Sequence, residues 1–339
     1  MLRKHFSFSG CRAGVGNLSN MTSGPPNPHD ALFRKMLDNP ADAASEFRVA
    51  LPKEVVDQLV WTDLERVDGS MVPFDLRSRY IDLLFRTRTR TDHRPAFVYL
   101  LAEHQSEPHS LMAFRMLEYV VAIIRKYLLE HENARKIPAV VPLVVHVGPQ
   151  GLIWRAPLQV SELFDLDPDT HAALADYLPR MRYFLDDVNA IGMPALMDRA
   201  LTPKVRVTFV AERLAPGDPA ALPVLLHLSP DFQQILDSPE GREVFDTFVN
   251  YVLVAGKLSP DAVDQFADPL GPIAKEVTVT ALETLQARGR AELLVELLVE
   301  RFGPLDASLE RVVCDADAEQ LKLWSSRILT ADSVDEVLA

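Results

Sequence analysis

The chain has 339 residues, room for about two domains, with 35 Lys and Arg against 48 Asp and Glu for a net charge of −13. That acidic balance argues against a protein that coats nucleic acid, because phosphate binding needs concentrated positive charge. Hydrophobic residues make up 48% and exclude wholesale disorder, and Cys11 and Cys314 alone build neither a disulfide framework nor a four-cysteine zinc site, a usage that fits a reducing cytoplasm.

Residues 1–28 are rich in Ser, Gly and Asn and carry Arg3, Lys4 and Arg12, but have no apolar stretch between them. They are read as a flexible leader and not as a signal peptide; Met21 is an alternative start. No apolar run has the length of a membrane helix, since the longest, Ile137–Val147, is broken by Pro138, Pro142 and His146. No membrane partner is expected.

Leu32, Phe33, Met36 and Leu37, then Ala43, Ala44 and Phe47, recur at helical spacing, with Asn39-Pro40 separating two helices. A further short helix is expected over 54–60. Arg79–Arg86 alternates as a strand, with Ile81, Leu83 and Phe85 on one face and Asp82 on the other. Ala96–Gln105 is apolar until Glu103, as a strand buried on both faces would be. The polar segment TRTRTDHRP, 87–95, reads as a hairpin loop between them. An amphipathic helix follows over 110–131, its stripe apolar except for Arg115. Residues 138–147 and 182–188 are strand candidates, and 205–211 suits a strand or a helix. From Pro216 onward Pro and Gly divide helical patterns until a long helix over 275–302, stopped by Gly303-Pro304. The expected organisation is a leader (1–28), an α/β domain (29–215), a helical connecting region (216–274) and a small all-α module (275–339). Its acidic helices are a candidate surface for homo-oligomers.

Period two puts Glu103 and Gln105 on one face, with His104 on the other. Antiparallel pairing across the loop sets Asp82 beside Glu103. Two facing carboxylates repel unless a cation lies between them. Hard divalent cations take such oxygens, so Asp82, Glu103 and Gln105 read as a metal-dependent phosphodiesterase site. The same acids are also accounted for as strand-end residues in solvent, or paired with Arg79 or Arg86. Residues 76–136 hold 11 Lys and Arg against 7 Asp and Glu, so the site region is basic within an acidic chain. Arginine suits phosphate, and salt-sensitive local engagement of DNA is expected. Walker, GxGxxG, HExxH and GxSxG motifs are missing from the sequence.

The segments HDALFRKML from His29, LPKEVVDQL from Leu51, DLRSRYIDLLFR from Asp75 and YLLAEHQSEPHSLMAFRMLEYVVAI from Tyr99 resemble the recombination-promoting nuclease and transposase-like family, within the PD-(D/E)XK nuclease superfamily. The resemblance covers about residues 29–215. The tail, from ELLVELLVERFGPL onward, resembles a small helical domain that often follows this nuclease domain. The resemblance implies an α/β/α restriction-endonuclease-like core with a mixed sheet, an all-α C-terminal region, and Mg²⁺-dependent DNA cleavage, with Mn²⁺ or Ca²⁺ as alternative ions. Carried over, Asp82 and Glu103 are catalytic and metal-ligating, with Glu46 as an additional acidic metal ligand. Gln105 stands where the superfamily pattern has Lys and so offers only neutral hydrogen bonds. Arg77, Arg79 and Arg115 are the expected phosphate contacts. The competing expectations are a catalytically weak or inactive DNA- or partner-binding remnant of a mobile element, and an interaction protein acting through its acidic tail.

Overall fold

The computed structural model describes residues 27–68, 81–90, 97–148 and 151–339. The expected leader and Arg77 and Arg79 lie outside the described residues. Two helices, α1 (Pro28–Leu37) and α2 (Pro40–Ala50), open the fold. Each is started by an Asn whose side chain accepts a backbone N–H of the first turn, with Pro at the head of the helix. After the short α3 (Lys53–Val56) come β1 (Glu65–Val67), β2 (Leu83–Arg88), β3 (Phe97–Gln105), α4 (Met112–Glu130) and β4 (Ala139–His146). Then follow α5 (Pro168–Leu174), β5 (Phe184–Asp187), α6 (Met193–Met197) and α7 (Pro203–Arg213).

The strands form one mixed sheet in the order β1-β2-β3-β4-β5. β1, β2 and β3 are antiparallel neighbours, whereas β3-β4 and β4-β5 are parallel. Crossing from β3 to β4 through α4 is what makes a parallel pair available, since a hairpin cannot. Leu84, Tyr99, Leu101 and Val144 on one face pack with Met112, Met116, Tyr119 and Ile123 of α4. The opposite face carries Phe85, which meets Phe47 of α2 edge-on, and His104, whose ring lies 5.0 Å from that of Phe33 of α1. Helices therefore cover both faces, and the α/β architecture read from the sequence is the one observed.

Two local readings change and one open reading is decided. β1 escaped notice, because three residues are too few to show a period. β2 begins at Leu83 and runs through Thr87 and Arg88, and Thr89 bridges to Leu59, so the start of the expected loop is strand. Residues 205–211 are helix: α7 is buried on nearly every side, from Val205 to Glu212, so its β-branched residues fill a core without the one-sided pattern of a surface helix.

Five helices complete the larger part of the chain and lead out of it: α8 (Ala221–His227), α9 (Ser229–Leu236), α10 (Gly241–Val254), α11 (Pro260–Ala267) and α12 (Pro272–Phe302). Phe232, Phe245, Phe248 and Phe266 pack ring on ring among α9, α10 and α11. Tyr251 of α10 hydrogen-bonds His29 at 2.9 Å, and Arg206 of α7 pairs with Asp231 of α9 at 2.6 Å. Residues 216–275 thus belong to the same compact unit as the sheet, while 276–339 form a second. Within the second, most of α12 packs with α13 (Ala307–Cys314), α14 (Ala318–Arg327) and α15 (Val334–Leu338) around Leu294, Leu298, Val313, Leu321 and Trp324. No described helix is long and apolar enough to cross a membrane.

Candidate active site

The β2-β3 register pairs Leu83 with Ala102 and Leu84 with Leu101, so Asp82, one residue before β2, comes level with Glu103. Arg66 fixes the chain there. Its guanidinium donates to the carbonyls of Val67, Leu84 and Asp82 at 2.7, 3.0 and 3.2 Å, and its Nε is 2.8 Å from Asp38. Asp82 and Glu103 are both buried, at 8% and 1% exposure.

Each carboxylate has its own cation. Asp82 Oδ1 lies 3.3 Å from Nε of Arg34 on α1, and Oδ2 accepts the backbone N–H of His104 at 2.9 Å. Glu103 Oε1 accepts from Arg115 of α4, and Arg115 Nε donates at 3.1 Å to the Tyr119 hydroxyl one turn on. Glu103 Oε2 is buried without a hydrogen-bond partner. Burial pushes both carboxyls up, Glu103 strongly, because Asp82 stands beside it and adds to the effect while Arg115 only partly opposes it. Burial and Glu103 together raise the Tyr119 hydroxyl too.

Arg86 binds Glu65 across the β1-β2 ladder. Arg88 binds Asp63, and Arg90 donates to the Leu59 carbonyl at 3.1 Å, so these loop arginines are committed locally and do not surround the site. Gln105 shares the face of Glu103, and its amide donates to the carbonyl of His104 at 2.5 Å.

Glu46 is elsewhere. His104, Val145 and Asp186 form one row across β3, β4 and β5, on the face opposite Glu103. Glu46 lies against Asp186 on that face, and Asp186 in turn pairs with Arg199 at 2.8 Å. Glu46 is buried, and burial, followed by the charge of Asp186 and a side-chain hydrogen bond with it, pushes this carboxyl well up. Among the described residues no three His, Cys, Asp or Glu side chains gather as a metal cluster. Asp82 and Glu103 stand together without Glu46.

Three further groups stand out in the structure. Arg34 is one. The second is a buried ion cluster behind the site: His104 Nδ1 is 2.9 Å from Asp30 and Nε2 is 3.2 Å from Glu212 of α7. Burial works against the charged ring, but Glu212 and Asp30 outweigh it and push His104 up to about 10. The third is His146, whose Nδ1 lies 2.8 Å from Asp187. The sequence signals were the i, i+4 spacing of Asp30 and Arg34 in the HDALFR segment and the place of Asp30 as an acid in the first turn of a helix.

The profile of the family described as "Putative transposase, YhgA-like" matches residues 27–215, more than half of the chain. The chain belongs to that family. It is 31% identical over 142 residues to recombination-promoting nuclease RpnD of Escherichia coli O157:H7, covering 40% of this chain and 53% of the relative. Recombination-promoting nuclease RpnA of E. coli strain K12 is 33% identical over 132 residues, 38% of this chain and 44% of the relative. The inactive recombination-promoting nuclease-like protein RpnE of the same strain is 28% identical over 133 residues, 38% of this chain and 43% of the relative. The chain thus spans about half the length of these curated relatives, which include proteins named as nucleases beside one named inactive. No solved structure matches.

Proposed function

We propose that this chain is a divalent-metal-dependent DNA endonuclease of the PD-(D/E)XK type, hydrolysing phosphodiester bonds at Asp82 and Glu103. The observation that carries the reading is the pair itself: two buried carboxylates placed level by the strand register, each raised by burial, with Glu103 Oε2 left without a donor. An unsatisfied buried acceptor beside a second carboxylate is costly, and a hard cation bound by the two would remove that cost. The donor set fits Mg²⁺ or Mn²⁺, which bind through one or two carboxylates and complete their shell with water and phosphate oxygens. When bound, such an ion would activate water and neutralise charge on the phosphate.

The chain's own groups supply the rest. Asp82 accepts the His104 N–H at Oδ2 and faces Arg34 at Oδ1, contacts that orient it before any ligand arrives. Arg115, steadied by Tyr119, lies at Glu103 and offers a forked donor to a phosphate oxygen. Arg34, with 45% of its side chain exposed, is the cation at Asp82 that DNA can reach. Gln105, in the place of a Lys, orients an attacking water by neutral hydrogen bonds and adds no positive charge.

Plasmid nicking with and without Mg²⁺ on wild type and Asp82→Asn tests the reading. Wild type is expected to nick only with the ion and the variant not to nick, and undiminished cleavage by the variant would overturn the assignment. The inactive-remnant reading draws on Gln105 and on the similarity to RpnE. Calorimetry separates the two: Mn²⁺ binding lost in Asp82→Asn supports the nuclease, and no Mn²⁺ binding by wild type supports the remnant.

A further inference from the structure

Asp82 is fixed from two directions, and both lead back to α1. Arg34 Nε, which donates to the Asp30 carbonyl at 3.3 Å, lies 3.3 Å from Oδ1 as an ion pair. The hold on Oδ2 is indirect: it comes from the peptide N–H of His104, and that residue's ring is locked between Asp30 Oδ1 at 2.9 Å and Glu212 Oε2 at 3.2 Å. Both ring nitrogens lie within hydrogen-bond distance of a carboxylate, and the ring has no solvent exposure from which to turn. Phe33 closes over it with ring centroids 5.0 Å apart. Asp30 is itself steadied by the amide of Asn27, the cap of α1, at 3.2 Å. Asp30, Phe33 and Arg34 fall on one helix face at i, i+3 and i+4, and all three converge on β3 and Asp82.

We propose that Asp30, Arg34 and Glu212 are positioning residues for Asp82: the two carboxylates pin the His104 ring so that its backbone N–H is aimed at Oδ2, while Arg34 sets Oδ1. The structural alternative is that this cluster only bolts α1 and α7 to the sheet. The two differ in what they predict at the far side of His104. A bolt affects global stability, whereas an aiming device affects the 104 amide and the ligand orientation of Asp82. Groups that orient metal ligands typically change affinity or activity 10–100-fold when removed.

The experiment compares wild type with Asp30→Asn, Glu212→Gln, Arg34→Gln and Arg34→Lys in the full chain. Amide hydrogen exchange at His104 is the readout that needs neither metal nor DNA. Asp30→Asn and Glu212→Gln are expected to speed it by about tenfold or more while the β4 amides hold. Mn²⁺ calorimetry is expected to weaken by about tenfold in Asp30→Asn and Arg34→Gln. DNA cleavage should lose kcat with KM unchanged, and Arg34→Lys should recover part of the Arg34→Gln loss. His104 exchange unchanged in both carboxylate variants, with only a lower Tm, would overturn the proposal. The kinetic and Mn²⁺ arms rest on the nuclease reading. A wild type that neither binds Mn²⁺ nor cleaves overturns that reading alone, because the exchange arm still decides on the clamp. Arg34→Gln, altered at a half-exposed side chain, keeps the test open if a carboxylate variant fails to fold.

Discussion

Arg115 and Arg34 neutralise neighbouring acids from different depths, and the difference is measurable. Glu103 is 1% exposed, so removing its guanidinium leaves a buried carboxylate alone. Arg115→Met is expected to cost about 3–5 kcal/mol, the usual penalty for stranding one half of a buried ion pair, read from the denaturant midpoint at neutral pH. Glu46 makes the opposite prediction. Its carboxyl is held well above the ordinary glutamate range by burial and then by Asp186, so the folded protein binds that proton more tightly than the unfolded chain does. A raised carboxyl favours folding at acidic pH and loses that contribution as pH climbs from the ordinary value through the folded one. Glu46→Gln is therefore expected to raise Tm at pH 7 by about 2–4 °C, roughly 1 kcal/mol for a unit of this size. The gain should vanish at pH 4. An equal gain at both values would show that charge is not the cause.

The β3-to-α4 turn and the end of β4 share a close contact that constrains where the site's floor can lie. A Cβ on Gly148 would stand 2.6 Å from the carbonyl oxygen of Ser106, a backbone atom that cannot swing aside. Val147 N–H also bonds the carbonyl of Gln105 at 3.1 Å, tying β4 to the end of β3 that carries Glu103 and Gln105. Gly148→Ala is expected to cost about 1–3 kcal/mol, as overpacking does. It should also shift the Gln105 and Ser106 amide resonances. Unchanged stability and shifts would show that the two segments part easily. The hairpin register was legible before the structure because a nine-residue loop centred near 91 and a buried apolar face leave few pairings. The short edge strand β1 was not legible, and neither was the helical state of 205–211, because burial on all sides erases the period that reveals an element.

Two compact units divide the described chain near residue 276, each with its own core. Arg301 in the second unit donates to the carbonyls of Ile328 and Ala331, the latter at 2.6 Å, closing the end of α14 against α12. Leu298 is fully buried in that core. Leu298→Ala is expected to cost about 2–5 kcal/mol, seen as faster hydrogen exchange over 291–337, with the β3 and β4 amides unchanged. Loss of protection in both regions would mean that the two cores unfold as one. DNA binding, where it occurs, is expected to weaken steeply as salt rises, because contacts to phosphate release counterions.

Local and short-range order was written in the sequence. The Asn-Pro helix starts, the β2-β3 hairpin, the level placing of Asp82 and Glu103, and the long helices all follow from periodicity, turn chemistry and a register that one buried face enforces. Arg115 apart, what sits beside those two acids did not follow. Arg34, Asp30 and Glu212 come from helices about 50, 75 and 110 residues away from their partners, and Glu46 is drawn to Asp186 on the other side of the sheet. Charge pairing in a low-dielectric interior depends on which side chains share a few ångströms, and packing three layers together decides that.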